Sequence, residues 1–160
     1  MRVVHDGWPK ILAGLRELDG TTIQVGWFEP DAAHIALIND RGGNRGNNPP
    51  PRPVLGPGMD AAREAVDSIM ASTTSRVLRG GGAAAVRAGA ERAGAAAEQG
   101  VRDAMDAVQP PNAPSTIAGK HGYSAPLRGF APDRLWQKLE HRVMSSAEAA
   151  ADGGDDAGDS

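Results

Sequence analysis

The fold turns on "TTIQVGWFEPDAAHIALINDRGG", Thr21 to Gly43. Its first eight residues alternate, with Ile23, Val25 and Trp27 on one side and Gln24, Gly26 and Phe28 on the other. β-branched and aromatic side chains suit a pleated, half-buried surface, so Thr21–Phe28 is expected as a strand. From Asp31 the period changes. Ile35 and Ile38 then share one side of a helix, and Gly42 or Gly43 supplies its C-terminal stop.

Upstream, Trp8, Ile11, Leu12, Leu15 and Leu18 recur at helical spacing after Pro9, which predicts a short amphipathic helix. Asp19-Gly20 is a turn signal that ends it. Downstream lies "GGNRGNNPPPRPV", Gly42 to Val54, whose Gly, Asn and Pro density forbids a helix or a central strand. Pro49 to Pro53 are expected as polyproline II, presenting Arg52 on a stiff, extended backbone. This is either an ordinary surface loop or a contact loop.

From Pro57, the residues Met59, Ala62, Val66, Ile69, Met70, Thr73 and Val77 mark a long helix. "RGGG", Arg79 to Gly82, breaks or kinks it. A second long helix follows, with Val86, Ala90, Ala93, Ala97, Val101, Ala104 and Val108 as its stripe. Alanine lets a partner helix approach closely but buries little area per residue. Gly89, Gly94 and Gly100 each cost up to ~1 kcal/mol in a helix interior. Such a helix needs a neighbour, in its own chain or in another copy. The expected fold is therefore α+β: a small antiparallel sheet, an N-terminal helix, two longer Ala-rich helices and long Pro-rich extended loops.

Next comes "QPPNAPSTIAGKHGYSAPL", Gln109 to Leu127, in which no helix or strand period repeats. A loop of about 20 residues without secondary structure is unusual in a compact domain unless it works. Beyond it, "FAPDRLWQKLEHRVM" leans towards a helix capped by Asp133, with Leu135, Trp136, Leu139 and Val143 on one face. The same residues permit a strand, in which polar Gln137 and His141 would share a face with Leu135, Leu139 and Val143.

Composition bounds the function. The 160 residues suit one domain, drawn as 1–145, with 146–160 an acidic flexible tail. Glu148, Asp152, Asp155, Asp156 and Asp159 are that tail's charges; without these five, 15 acidic residues face 17 basic ones. A body at about +2 lacks the dense basic face of a nucleic-acid binder. Three Trp, two Phe and one Tyr make a thin core, which suggests stability shared with other subunits. Cysteine is absent, which removes disulfides and thiolate chemistry. The apolar runs fall far short of the ~18 residues of a membrane span, and "MRVVHDGWPK" lacks a signal peptide's apolar core. Synthesis in the cytoplasm is expected.

No catalytic pattern emerges. Gly119-Lys120 imitates a phosphate loop, but Pro114 and His121 stand where a glycine and a Ser or Thr belong. His5, His34, His121 and His141 show no metal-ligand spacing, and His34 and His141 read as solvated. Acidic residues on helices pair with arginines, as Glu98 does with Arg102. Neither an enzyme nor a cofactor is expected.

In chain order, Val25-Gly26, Ile38-Asn39 and Gly42, Pro51-Arg52-Pro53, and Pro110 to Ile117 with Lys120, Gly122, Pro126 and Leu127 form an ordered series. That series resembles the small tail-completion or neck (head–tail joining) proteins of tailed bacteriophages, the virion morphogenesis family. The likeness covers roughly Thr21 to Leu127, and "PPNAPSTI" is its specific part. It departs at Asp40-Arg41, where the family has Glu and an aromatic residue. It departs again after Leu127, where Arg128-Gly129-Phe130 replaces Asp-Thr-Gly.

The resemblance implies a structural virion protein at the head–tail junction or the head-proximal tail end. It would form a homo-oligomeric ring, six- or twelve-fold, as a neck subunit or a tail terminator. Its partners would be other neck, connector or tail-tube proteins, with no membrane; Arg41, Arg45 and Arg52 could face packaged DNA in a non-specific contact, or an acidic neighbour. Gln109–Leu127 then becomes a strap. Pro110, Pro111 and Pro114 lower the entropy cost of ordering it, and Asn112, Ser115 and Thr116 can satisfy its backbone locally. Ile117, Tyr123 and Leu127 would dock it, across a neighbouring copy or back over its own domain. Asn39, Arg52, Pro111, Asn112, Pro114, Ile117, Lys120, Tyr123 and Leu127 are the expected interface residues. The alternative is a small DNA-binding accessory protein, which would need Arg76, Arg79, Arg87 and Arg92 on one face.

Overall fold

A computed structural model of the chain describes residues 7–42, 50–109, 114–119, 127, 135–145 and 148. In order, these residues form α1 (Trp8–Asp19), β1 (Thr21–Gly26), α2 (Pro30–Arg41), α3 (Leu55–Arg76), a π-helical turn (Val77–Gly81), α4 (Gly82–Ala107), α5 (Pro114–Gly119), α6 (Leu135–Lys138) and β2 (Glu140–Ser145). The chain is α+β, mostly helical, with β1 and β2 paired in a small antiparallel sheet. Two compact units divide it. One is drawn from Met1–Gln24, Glu64–Ala95 and Arg142–Ser160, the other from Val25–Arg63 and Ala96–His141.

In the first unit, the end of α3, the turn and the start of α4 make a helical hairpin. The sequence breaks at "RGGG" because Gly80 (φ +89°) and Gly82 (φ +59°) adopt left-handed backbone that residues with a β-carbon rarely tolerate. Thr73, Val77, Val86, Ala90 and Ala93 are buried along it. Gly89 is what allows the helices so close: a β-carbon there would lie 2.1 Å from Thr73 Oγ1. The Thr73 hydroxyl instead donates to the Ile69 carbonyl, 2.8 Å away, which satisfies it inside the seam.

α1 packs on the turn of this hairpin through its smallest residue. Gly14 is buried, and a β-carbon on it would come within 2.7 Å of Val77 Cγ1 and 3.2 Å of the Gly82 backbone. The helix carries the apolar stripe its spacing predicts, but Trp8, Leu12 and Leu15 stay exposed while Ile11 and Leu18 are half-buried.

The second unit holds the larger side-chain core. Ala32, Val54, Val101, Met105, Leu127, Leu135 and Leu139 form it, with Val25, Trp27, Ala36, Ala104, Val108 and Trp136 packed at its margin. α3 and α4 again meet on glycine: a β-carbon on Gly58 would lie 2.5 Å from Val101 Cα, and one on Gly100 would lie 2.6 Å from the Gly58 carbonyl oxygen. The ~1 kcal/mol that each helical glycine costs is offset by this close backbone approach.

Two segments depart from expectation. "LWQKLEHRVMS" is not one helix. A single turn, α6, buries Leu135 and Leu139 at i and i+4, and the chain then changes to the period of a strand. Switching there keeps Gln137 off the buried side that an uninterrupted strand would have given it. It also gives β1 the hydrogen-bonding partner an isolated strand needs. Within "QPPNAPSTIAGKHGYSAPL", Pro114–Gly119 forms a short helix rather than extended chain, with proline at the position where its fixed φ and missing N–H cost nothing. β1 also ends at Gly26, two residues short of the predicted strand.

Candidate functional site

The Asn39–Arg52 neighbourhood is built by the end of α2. Gly42 (φ +73°) turns the chain out of the helix, and the Arg52 N–H donates to the Asn39 carbonyl at 2.7 Å. Asn39 Nδ2 donates to the Ile35 carbonyl at 2.8 Å. The first of these bonds fastens the Pro51-Arg52-Pro53 segment to the helix end, joining two motifs that the sequence keeps apart.

The Arg52 side chain is not presented to solvent as expected. It is 9 % exposed, and its Nε is buried with no hydrogen-bond partner among the described residues. Loss of water around the guanidinium pushes its pKa below the ordinary arginine value. Val54, two residues on, enters the core beside Leu127.

The other expected interface residues divide. Pro114 is exposed at the start of α5, Ile117 is half-buried, and Leu127 is 7 % exposed within the core. The strap is therefore anchored on its own chain at Leu127. Pro111, Asn112, Lys120 and Tyr123 lie outside the described residues, as does Arg45.

Beside this neighbourhood runs a groove of about 320 Å3. Its walls are Trp27, the Ala33–Ala36–Leu37 side of α2, Asp40, and Val54–Leu55–Gly56 where α3 begins. Ile35, Leu37 and Ile38 on α2, and Leu55 and Met59 on α3, are all exposed. Reasoning from sequence missed this surface. The signal was present in "DAAHIALIND", whose Ala32, Ile35, Leu37 and Ile38 point around more than one side of the helix and so cannot all be buried by one neighbour.

In the first unit, a polar cleft of about 510 Å3 lies among Arg16, Glu17, Arg87, Glu91, Ser145 and Glu148. Arg87 Nε donates to Glu17 Oε1 at 3.3 Å. The Ser145 backbone N–H and Oγ donate to Glu148 Oε2 at 2.8 and 2.7 Å, and these bonds hold the Glu148 carboxyl below its ordinary range. Two arginines and three glutamates line the cleft, and Arg87 and Glu17 are paired with each other.

A third cluster is structural. Glu98 pairs with Arg102 along α4, as the spacing predicts, and His141 Nδ1 lies 2.6 Å from Glu98 Oε2. His141 is thus half-buried in a side-chain network and not solvated. Arg102 Nη2 also donates to the Leu139 carbonyl at 3.0 Å, and its guanidinium lies 4.5 Å from the centre of the Trp136 ring. Trp27 Nε1 donates to the Leu135 carbonyl at 2.6 Å, and Lys138 pairs with Glu29. Together these contacts clamp α6 and the start of β2 onto the core.

Among the described residues no group of three His, Asp or Glu is placed to hold a metal ion, and no helix is long and apolar enough to cross a membrane. Comparison with protein-family models, curated proteins and solved structures finds no match to this chain.

Proposed function

We propose that this protein is a structural component of a tailed-phage virion, one subunit of a ring at the neck or tail end needed for tail completion and head–tail joining. Its work is interface formation. No catalytic step is assigned to it.

The observation that carries the reading is the convergence of motif segments that lie far apart in the chain. Val25 and Leu127 meet in or against one core, and Asn39 and Arg52 are joined by a backbone hydrogen bond. Residues that carry the resemblance thus act as one structural unit. Large apolar side chains left exposed on α1, α2 and α3 add support, since contiguous apolar surface marks interaction sites.

The test is electron microscopy of particles made by the encoding phage after deletion of this gene. DNA-filled heads accumulating beside separate tails, with joining restored by the gene in trans, is the expected result. Intact, infectious virions would sink the proposal and favour the DNA-binding alternative.

A further inference from the structure

Two apolar surfaces remain uncovered on every copy, and they have complementary forms. On α1, Trp8 is 55 % exposed, Leu12 46 % and Leu15 36 %. Their i, i+4, i+7 spacing lines them up as one stripe, the anchor pattern of a helix that lies in a groove. The groove beside α2 is concave and mostly apolar, with Leu37 45 % and Leu55 37 % exposed at its walls.

Charge agrees with shape. Asp40 is the only charged residue among the described residues lining the groove, and Arg16 follows Leu15 on the exposed side of α1. Neither is engaged in an ion pair among the described residues. We infer that α1 of one copy docks into the α2–α3 groove of the next, with Trp8, Leu12 and Leu15 as anchors and Arg16 against Asp40. The occupant is a second copy of this chain. A foreign partner would account for one of the two surfaces, whereas a second copy covers both in a single kind of contact.

Such a contact is heterologous: the two faces differ, so it repeats from copy to copy and closes into a ring when the rotation permits. The inference takes its biological setting from the ring-subunit reading, but its test does not use particles.

The experiment is sedimentation velocity on the full chain over a range of concentrations, with circular dichroism to verify folding. Leu12→Asp removes the helix face and Leu37→Asp the groove. Each is expected to weaken self-association by about tenfold or more, as loss of a central apolar anchor does. Mixed in equal amounts, the two variants still offer one intact face each, so they should form a 1:1 dimer that grows no further. Arg16→Asp and Asp40→Arg, each mild enough to leave folding intact, should weaken association singly and restore it together.

Wild-type protein that associates while the mixture stays monomeric would overturn this contact and leave a ring by another interface. Wild-type protein that is monomeric throughout would also overturn it, with head–tail joining still judged separately on particles. Association unchanged by all four substitutions would overturn it as well.

Discussion

Thr73 stands where a β-carbon on Gly89 would have to be, 2.1 Å from its hydroxyl oxygen. Helix propensity favours alanine over glycine by up to ~1 kcal/mol, but overpacking a closed seam costs ~1–3 kcal/mol. Gly89→Ala is therefore expected to destabilise the protein by about 1–2 kcal/mol in urea denaturation. Gly56→Ala, where a β-carbon meets nothing within 4 Å, should be neutral or stabilising. Equal effects at the two sites would mean that the helices do not touch at Gly89.

Arg102 links α4 to the C-terminal segment through the Leu139 carbonyl and the Trp136 ring, and pairs with Glu98 along its own helix. Arg102→Ala should cost ~2–3 kcal/mol, since a charge-assisted bond and a ring contact are lost together. Arg102→Lys should recover only part of this, because an ammonium cannot spread over the ring and reach both oxygens. Full recovery by lysine, read from the denaturation midpoint, would reduce the residue's part to simple charge.

Arg52 presents the opposite case, a buried cation with one nitrogen unpartnered among the described residues. Replacing it with methionine removes the cost of dehydrating the guanidinium while keeping the apolar stem. Stability of the isolated protein should hold or rise by roughly 1 kcal/mol. Assembly should fall if Arg52 meets an anionic group of a neighbour. A loss of stability above ~2 kcal/mol would show instead that the guanidinium serves this chain's own fold.

Glu148 tests the local geometry of the C-terminal segment by pH. Bonds from the Ser145 backbone N–H and then its hydroxyl favour the ionised carboxylate, so the folded group is more acidic than the unfolded one. Its contribution is present above the ordinary carboxylate value and is lost as pH falls through the lowered folded value. The group is solvent-exposed, so the readout is an NMR titration of Glu148 and not a shift in melting. Ser145→Ala keeps the backbone N–H and removes the hydroxyl, so it should move that titration part of the way up; no movement would remove the hydroxyl as a contributor.

Much of the helical framework was readable from periodicity. Val86, Ala90, Ala93, Ala97 and Val101 were named from spacing and are buried, and the break at Arg79–Gly82 follows from glycine alone. Less readable was which side of α1 turns inward. A hydrophobic stripe suggests Leu12 and Leu15, yet Gly14 is the buried residue, because the neighbour is a backbone reversal with room for nothing larger. Helix and strand both stayed open for β2, because its strand period follows at once on a single helical turn that already places Leu135 and Leu139. At the candidate site, the Pro51-Arg52-Pro53 motif was visible, but burial of Arg52 was not. That depends on a bond to Asn39, and periodicity carries no information about such a partner.

The two strands of the sheet are made far apart in time. At roughly 5–20 residues per second of synthesis, β1 leaves the ribosome several seconds before Glu140–Ser145 exists to pair with it. During that interval the α3–α4 hairpin, whose contacts are local, has ample time to form, while the strand's edges remain open. Closing the sheet is thus a late event that depends on translation passing Ser145. A product stopped before Glu140 keeps a permanently unpaired strand beside an incomplete core, the kind of surface that aggregates and that proteases remove.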